Sequence, residues 1–196
     1  MSTQLHRFSS SSFEYGTPAR WVEAVRQVMG GIDLDPASSA TFNNLIGAAR
    51  FMNKEFNALR PEVEWTGRVF LNPPFTRSGL HQRFITRLID QYRRGLVTQS
   101  MLLVNAETGS TWFKPLWAYP MCFAYARIAF DLIMDGQRVT QASPTHNNVL
   151  VYLPPQAERD GFVMPIRGVT EYLVHFETVC GELGEIVAPP VWEWRD

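Results

Sequence analysis

The chain predicts a single α/β domain, and three observations carry the prediction. Short apolar runs of strand length alternate with segments whose apolar residues recur at helical spacing. With 196 residues and 45% hydrophobic content, the chain can bury about 70% of its unfolded surface, enough for one core. No internal repeat divides it.

The elements follow in order. Thr17-Pro18 opens a helix over Ala19 to Met29, with Thr17 as N-cap and Pro18 at the first helical position; Trp21, Val22, Val25 and Val28 share one face, and Gly30-Gly31 close it. Ile32 to Asp35 reads as a brief strand stopped by Pro36, followed by small residues and a helix near Thr41 to Ala49. Arg50 to Trp65 has weak periodicity and reads as an irregular wrap before a strand over Arg68 to Leu71. Leu80 to Tyr92 places Leu80, Phe84, Ile85, Leu88, Ile89 and Tyr92 on one helical face and arginines on the other. Ser100 to Asn105 is a buried-type strand, Thr111 to Trp117 a short helix, and Met121 to Phe130 and Asn148 to Leu153 are further strands. From Pro154 the pattern weakens into Pro, Gly and acidic residues, apart from an amphipathic helix over Glu171 to Leu183; this tail, ending with Trp192 and Trp194, is expected to decorate the same domain.

Composition excludes several classes. Residues 1–12 hold Ser9 to Ser12 in a row and no apolar stretch, which predicts a flexible terminus that is neither signal peptide nor anchor. No segment approaches the ~20 apolar residues of a membrane span, so a cytoplasmic protein with no membrane partner is expected. Cys122 and Cys180 are far apart and lack metal-ligand spacing, which argues against a disulfide framework and against a bound metal. The formal net charge of −1 gives no bulk attraction to nucleic acid, so any contact needs a local basic patch. Arg77, His81, Arg83, Arg87, Arg93 and Arg94 form one candidate, and Arg127 stands between structural pairing and nucleic-acid contact. His146, Asn147 and Asn148 read as turn chemistry ahead of a strand, with base contacts as the alternative.

The segment richest in chemistry is Asn72-Pro73-Pro74-Phe75, directly after the apolar run Arg68 to Leu71. Two successive prolines stiffen the loop and leave carbonyls free to accept hydrogen bonds. The Asn72 side-chain oxygen and the Pro73 carbonyl together suit the two protons of an exocyclic –NH₂, and Phe75 offers a face for a flat ring. Holding both protons favours the pyramidal, nucleophilic form of an amine whose lone pair is otherwise delocalised. That is the chemistry of methylation at an amino nitrogen, with no strong base required.

Three segments in sequence, Gly16-Thr17-Pro18, then Asp33-Leu34-Asp35-Pro36-Ala37-Ser38, then Gly67 to Phe75, resemble the phage-type DNA N6-adenine methyltransferases, a Dam-like family. Trp65, Trp112-Phe113 and Arg127 to Phe130 look like further landmarks, so the resemblance covers roughly residues 13–153. It implies a Rossmann-like methyltransferase fold, a mostly parallel sheet flanked by helices over residues 13–155, with residues 156–196 packed on the same domain. It also implies S-adenosylmethionine as cofactor and DNA as partner. Carried over, Asn72, Pro73, Pro74 and Phe75 form the catalytic loop, with Phe75 where many relatives have tyrosine. Asp35, Pro36 and Ala37 border the methionine end of the cofactor, flanked by Asp33 and Ser38, while Thr17 and Pro18 close over it. Arg77, Arg83, Arg87 and Arg127 are the implied DNA contacts. The amine clamp by itself leaves cytosine N4, a protein glutamine and RNA adenine open as acceptors, and a binding module without turnover open as a second class. The residues do not set the oligomeric state.

Overall fold

The computed structural model describes residues 14–76, 78–134, 137–141, 145–159, 162–165 and 170–189. After a short strand β1 (Glu14–Gly16) comes helix α1 (Ala19–Met29), whose buried face is Trp21, Val22, Ala24, Val25, Val28 and Met29. Its start corrects the predicted cap. Pro18, extended at φ −62° and ψ 147°, holds the cap position, and its carbonyl accepts from Trp21 and Val22, so the Thr17 hydroxyl is released for another partner. Gly30 ends the helix at φ +70°, a left-handed conformation that glycine adopts without a Cβ clash.

Strand β2 is only Leu34–Asp35, shorter than the predicted run. Helix α2 (Ala40–Ile46) starts with the Ser39 hydroxyl accepting from Phe42 and ends at Ile46, capped by Gly47, three residues before the expected limit near Ala49. The Asn43 side chain bonds both the N–H and the carbonyl of Ala48 and turns the chain early. The Arg50 to Trp65 wrap contains a short strand β3 (Arg50–Phe51), which lies parallel to β2 at the sheet edge. Strand β4 (Gly67–Leu71), helix α3 (Leu80–Arg93) and strand β5 (Val97–Asn105) follow the predicted pattern, β5 starting three residues early. The predicted helix over Thr111 to Trp117 is a 3₁₀ turn at Lys114–Ala118.

The expected strand Met121 to Phe130 keeps only its first part, β6 (Met121–Ala124). The chain then leaves the sheet and forms a hairpin, β7 (Asp131–Met134) and β8 (Gln137–Gln141), on which β1 pairs antiparallel through Tyr15 and Leu132. After β9 (Asn148–Leu153) come a small hairpin, β10 (Gln156–Arg159) with β11 (Phe162–Pro165), then α4 (Thr170–Cys180) and β12 (Gly184–Val187). The tail is more than a decoration. Strand β12 pairs with β6 as the outermost strand of the sheet, and the Phe176 ring of α4 stacks on Tyr152 at 5.1 Å.

The seven-stranded sheet runs β12-β6-β9-β5-β4-β2-β3. Parallel pairing joins β3, β2, β4 and β5, and antiparallel pairing joins β5, β9, β6 and β12. The sheet is therefore mixed, parallel in one half only. One face is covered by α1 and α4, through Trp21, Val25, Phe176 and Cys180 packed on Phe70, Met101, Leu150 and Tyr152. The other is covered by α3 and the 3₁₀ turn, through Phe84, Leu88, Phe113 and Leu116 packed on Val69, Leu102, Val149 and Val151. Cys122 and Cys180 are both free and buried, and the Cys122 thiol donates to the Cys180 carbonyl. Among the described residues no helix is long and apolar enough to cross a membrane.

Candidate functional site

In an open sheet with parallel strands, ligand groups collect beyond the strands' carboxyl ends, where loops leave the backbone. Strand β4 delivers Asn72 to that edge. Pro73 behind it is buried, whereas Pro74 and Phe75 are exposed, so the loop turns its aromatic end outward. Phe75 does not swing freely. Its ring stacks on His81 at 4.6 Å and meets Trp112 edge-on at 6.3 Å, and His81 in turn meets Trp112 at 5.1 Å. His81, placed in the basic patch by its sequence position, is buried instead. Neither of its ring nitrogens has a partner among the described residues, and burial lowers its pKa against the opposing pull of Glu107, which favours the uncharged ring that stacks on Phe75.

The released Thr17 hydroxyl finds its partner here: the Asn72 side-chain amide donates to Thr17 Oγ1 at 3.0 Å. Thr17 is buried, and this one bond ties the segment before α1 to the loop after β4, 55 residues apart. With its nitrogen so engaged, Asn72 presents Oδ1 as an acceptor.

Asp35 stands one strand away, at the end of β2, 1% exposed. Burial drives its pKa up to about 7, opposed by the Ala37 N–H, which donates to Oδ1 at 3.0 Å, and by the nearby Ser38 hydroxyl. The Ser38 oxygen, also buried, closes no hydrogen bond of ordinary geometry. Among the described residues, no cation pairs with Asp35.

Asp33 does not join this group. Its carboxylate takes Arg68 at two points, Nη2 at 2.8 Å and Nε at 3.0 Å, and also accepts the Arg68 backbone N–H at 2.8 Å. The pair fills the space beside Gly67, where a Cβ would lie 2.7 Å from the carboxylate on a backbone at φ +78°. Arg68 holds the Asp33 pKa below the usual carboxylate value. This pair sits at the amino ends of β2 and β4, away from the Asp35 and Asn72 edge.

A cavity of about 410 Å³ opens on the β5 side of the loop. Asn72, Phe75, Asn105, Phe130, Tyr15 and His146 contribute to its wall, so it is apolar and aromatic with a few converging amides. Asp35 and Ser38 are not among the residues of that wall. Sequence reading missed Asn105, Tyr15 and Phe130. Asn105 ends β5 beside Asn72's strand, and the carboxyl-end rule applied to that second strand singles it out.

The predicted basic face contracts. Arg87 turns inward and donates to the carbonyls of Arg60, Pro61 and Val63, which holds the irregular wrap onto α3. Arg94 faces Glu64 at 3.8 Å and Asp90 at 3.6 Å. Arg83 is exposed, Arg127 is exposed with Nε donating to Asn147 at 3.2 Å, and Arg77 lies outside the described residues.

The family model described as DNA N-6-adenine-methyltransferase (Dam) matches residues 9–166. The chain belongs to that family. It is therefore a DNA adenine-N6 methyltransferase, as the three segments from Gly16 to Phe75 imply. No curated protein and no solved structure matches the chain. Within this Dam family member, the matched span runs from ahead of β1 through β11 and includes both the Asn72 loop and the Asp35 pocket.

Proposed function

We propose that this methyltransferase uses S-adenosylmethionine as methyl donor on a Rossmann-like scaffold, and that the Asn72 to Phe75 loop holds the adenine amine in the cavity beside it. The observation that carries the reading is the bond from the Asn72 amide to Thr17, because it orients the side chain and leaves Oδ1 to accept an amine proton at the cavity wall. The Pro73 carbonyl supplies the second acceptor, and its N–H is absent by chemistry, so nothing at that position repels the amine. Phe75, pinned by His81 and Trp112, offers its outer face to the base.

The Asp35 pocket fits the donor. A buried carboxyl with no cationic partner among the described residues, next to a Ser38 hydroxyl that closes no hydrogen bond of ordinary geometry, is costly alone and well matched to an ammonium such as that of a methionine moiety. Asp35 and Ser38, with the Ala37 N–H and the backbone of Pro36, would hold that end, and Thr17 and Pro18 would cover it. S-adenosylmethionine, when bound, supplies a methyl group already activated by a sulfonium leaving group. The protein's part is placement: acceptors for the amine protons, a stacking face for the ring, and a loop that aims the amine nitrogen at the donor methyl. The proton that the amine loses leaves to water at the cavity mouth. An adenine in duplex DNA must be extruded to reach this loop, at a cost of a few kcal/mol. Arg83 and Arg127 are the proposed phosphate contacts; Arg87 is left out because its guanidinium serves the loop carbonyls.

The test is a product assay. Incubation with labelled S-adenosylmethionine and unmodified DNA, RNA and protein should label DNA alone, and digestion should release N6-methyldeoxyadenosine; label in N4-methylcytosine, RNA or protein would overturn the reading.

A further inference from the structure

We propose that Asn105 is a specificity-determining residue that donates a hydrogen bond to the ring nitrogen beside the target amine. The inference rests on the proposed base cavity and names a second reader within it. Its ground is a relay of amides whose directions are set by one backbone group. The Ile128 N–H can only donate, and it points at the Asn148 side-chain oxygen at 3.3 Å. Asn148 must then present its nitrogen elsewhere, and that nitrogen donates to Asn105 Oδ1 at 3.3 Å. Asn105 is thereby left with its amide N–H groups, which have no hydrogen-bond partner among the described residues, on a side chain that lines the cavity. Asn148 is buried, 4% exposed, so the relay is fixed from inside the fold rather than by the ligand.

Asn72 has the opposite polarity. Thr17 takes its nitrogen, and its oxygen remains. Asn72 and Asn105 thus offer the cavity an acceptor and a donor from neighbouring parallel strands. Leu71 stands beside Leu102, so Asn105 lies one strand across from Asn72 and two residues further along. That puts roughly 8 Å between the two backbones. Side chains of this length on backbones that far apart can both reach the edge of one base.

Adenine offers that pair of groups, an amine donor flanked by a ring acceptor. Guanine and thymine present a carbonyl where the amine would be, which repels the Asn72 oxygen; on their pairing edge the ring nitrogen is also protonated and repels the Asn105 donor, whereas guanine N7 keeps that second contact. Cytosine has the matching pair, and against it the discrimination is left to ring size and to the aromatic wall.

The experiment is a cycle between side chain and base. DNA is copied from one template with dATP, 1-deaza-dATP or 7-deaza-dATP, and kcat/KM is measured for the parent and for Asn105→Ala on each. On natural DNA the variant should lose about ten-fold or more. On one of the two deaza DNAs, the one lacking the contacted nitrogen, the parent should already be slow and the variant should cost little further. An equal loss from Asn105→Ala on all three DNAs would overturn the inference, because a purely structural role does not depend on which ring atom is present. Asn105→Asp keeps an oxygen for Asn148 and exchanges the donor for an acceptor, so it runs the same cycle if the alanine variant fails to fold, and should lose more on natural DNA. Calorimetry with S-adenosylhomocysteine should give both variants the parent's affinity. A parent that methylates no adenine in natural DNA would instead sink the functional reading, and this inference with it.

Discussion

The two ends of strands β2 and β4 treat the same kinds of side chain in opposite ways. At the amino ends, Asp33 and Arg68 satisfy each other at two points, and Arg68 also reaches the Met29 carbonyl at 3.2 Å. At the carboxyl ends, among the described residues, Asp35 is buried without a cation, Ser38 Oγ closes no hydrogen bond of ordinary geometry, and the Asn72 oxygen accepts none. Asp33 and Asp35 are two residues apart, yet one is paired within the fold and the other is not. The lesson is that a polar group's role depends on whether the fold has already satisfied it, since a buried group left without a partner carries a cost that a ligand can remove.

The sharpest way to break this comparison is at Asn72. Asn72→Ala should lower the rate of methyl transfer by about 10²–10³-fold while S-adenosylmethionine binding stays near the parent value, measured by single-turnover kinetics and calorimetry. Retained turnover would strip the carboxyl edge of its proposed role.

Asp35→Asn comes next, with an expected loss of about 10–100-fold in affinity for S-adenosylmethionine. A cation prefers the charged carboxylate, so the parent's affinity should fall as pH drops through about 7, and the variant's should not. Without ligand the sign reverses. Because the folded pKa of Asp35 lies above its ordinary 3.8, the stability it contributes is fully present below that value and is lost as pH rises to about 7. Melting of the ligand-free protein across that window should show a decline with pH in the parent that is flattened in Asp35→Asn.

Asp33 is predicted to behave in the contrary sense. Its folded pKa is lowered by Arg68, so its contribution is present above 3.8 and vanishes as pH falls through the lower folded value. Asp33→Ala should cost roughly 1–2 kcal/mol by denaturant unfolding at neutral pH, discounted because both side chains are about a third exposed, and should leave ligand affinity unchanged. A large change in affinity would erase the distinction between the two acids.

The smallest effect separates two arginines of α3. Arg83→Ala should reduce the slope of DNA affinity against salt by about one unit with little effect on melting, whereas Arg87→Ala should lower the melting temperature by a few degrees and leave the slope intact. Swapped outcomes would move the DNA surface inward along the helix.

How legible the site was depended on the range of the interactions that form it. The Asn72 to Phe75 loop and the Asp35 segment were readable because proline, a strand's end and an acid in small-residue company are local signals. Thr17 was read as a helix cap because a Thr-Pro pair ordinarily is one, and nothing nearby in sequence announces Asn72 as its partner. Arg87 and His81 looked like surface charge on a helical wheel, but a wheel shows only which way a residue faces, not whether a loop or an aromatic ring will cover it. Asn105 was passed over as a strand end and Asn148 was read as turn chemistry, since an amide's direction depends on a donor contributed by the exit from β6.

By itself the sequence determined the α/β class, the helices α1 and α3, the strands that lead to Asp35 and Asn72, and the rigid Asn72 to Phe75 loop, because periodicity, prolines and glycines act over a few residues. Tertiary structure alone decided that the sheet is half antiparallel, that the tail supplies its last strand, that Asp33 is closed and Asp35 open, and that the amides at the cavity point as they do. Those outcomes depend on hydrogen bonds between segments tens of residues apart, and such bonds exist only after the chain has brought its strand ends together.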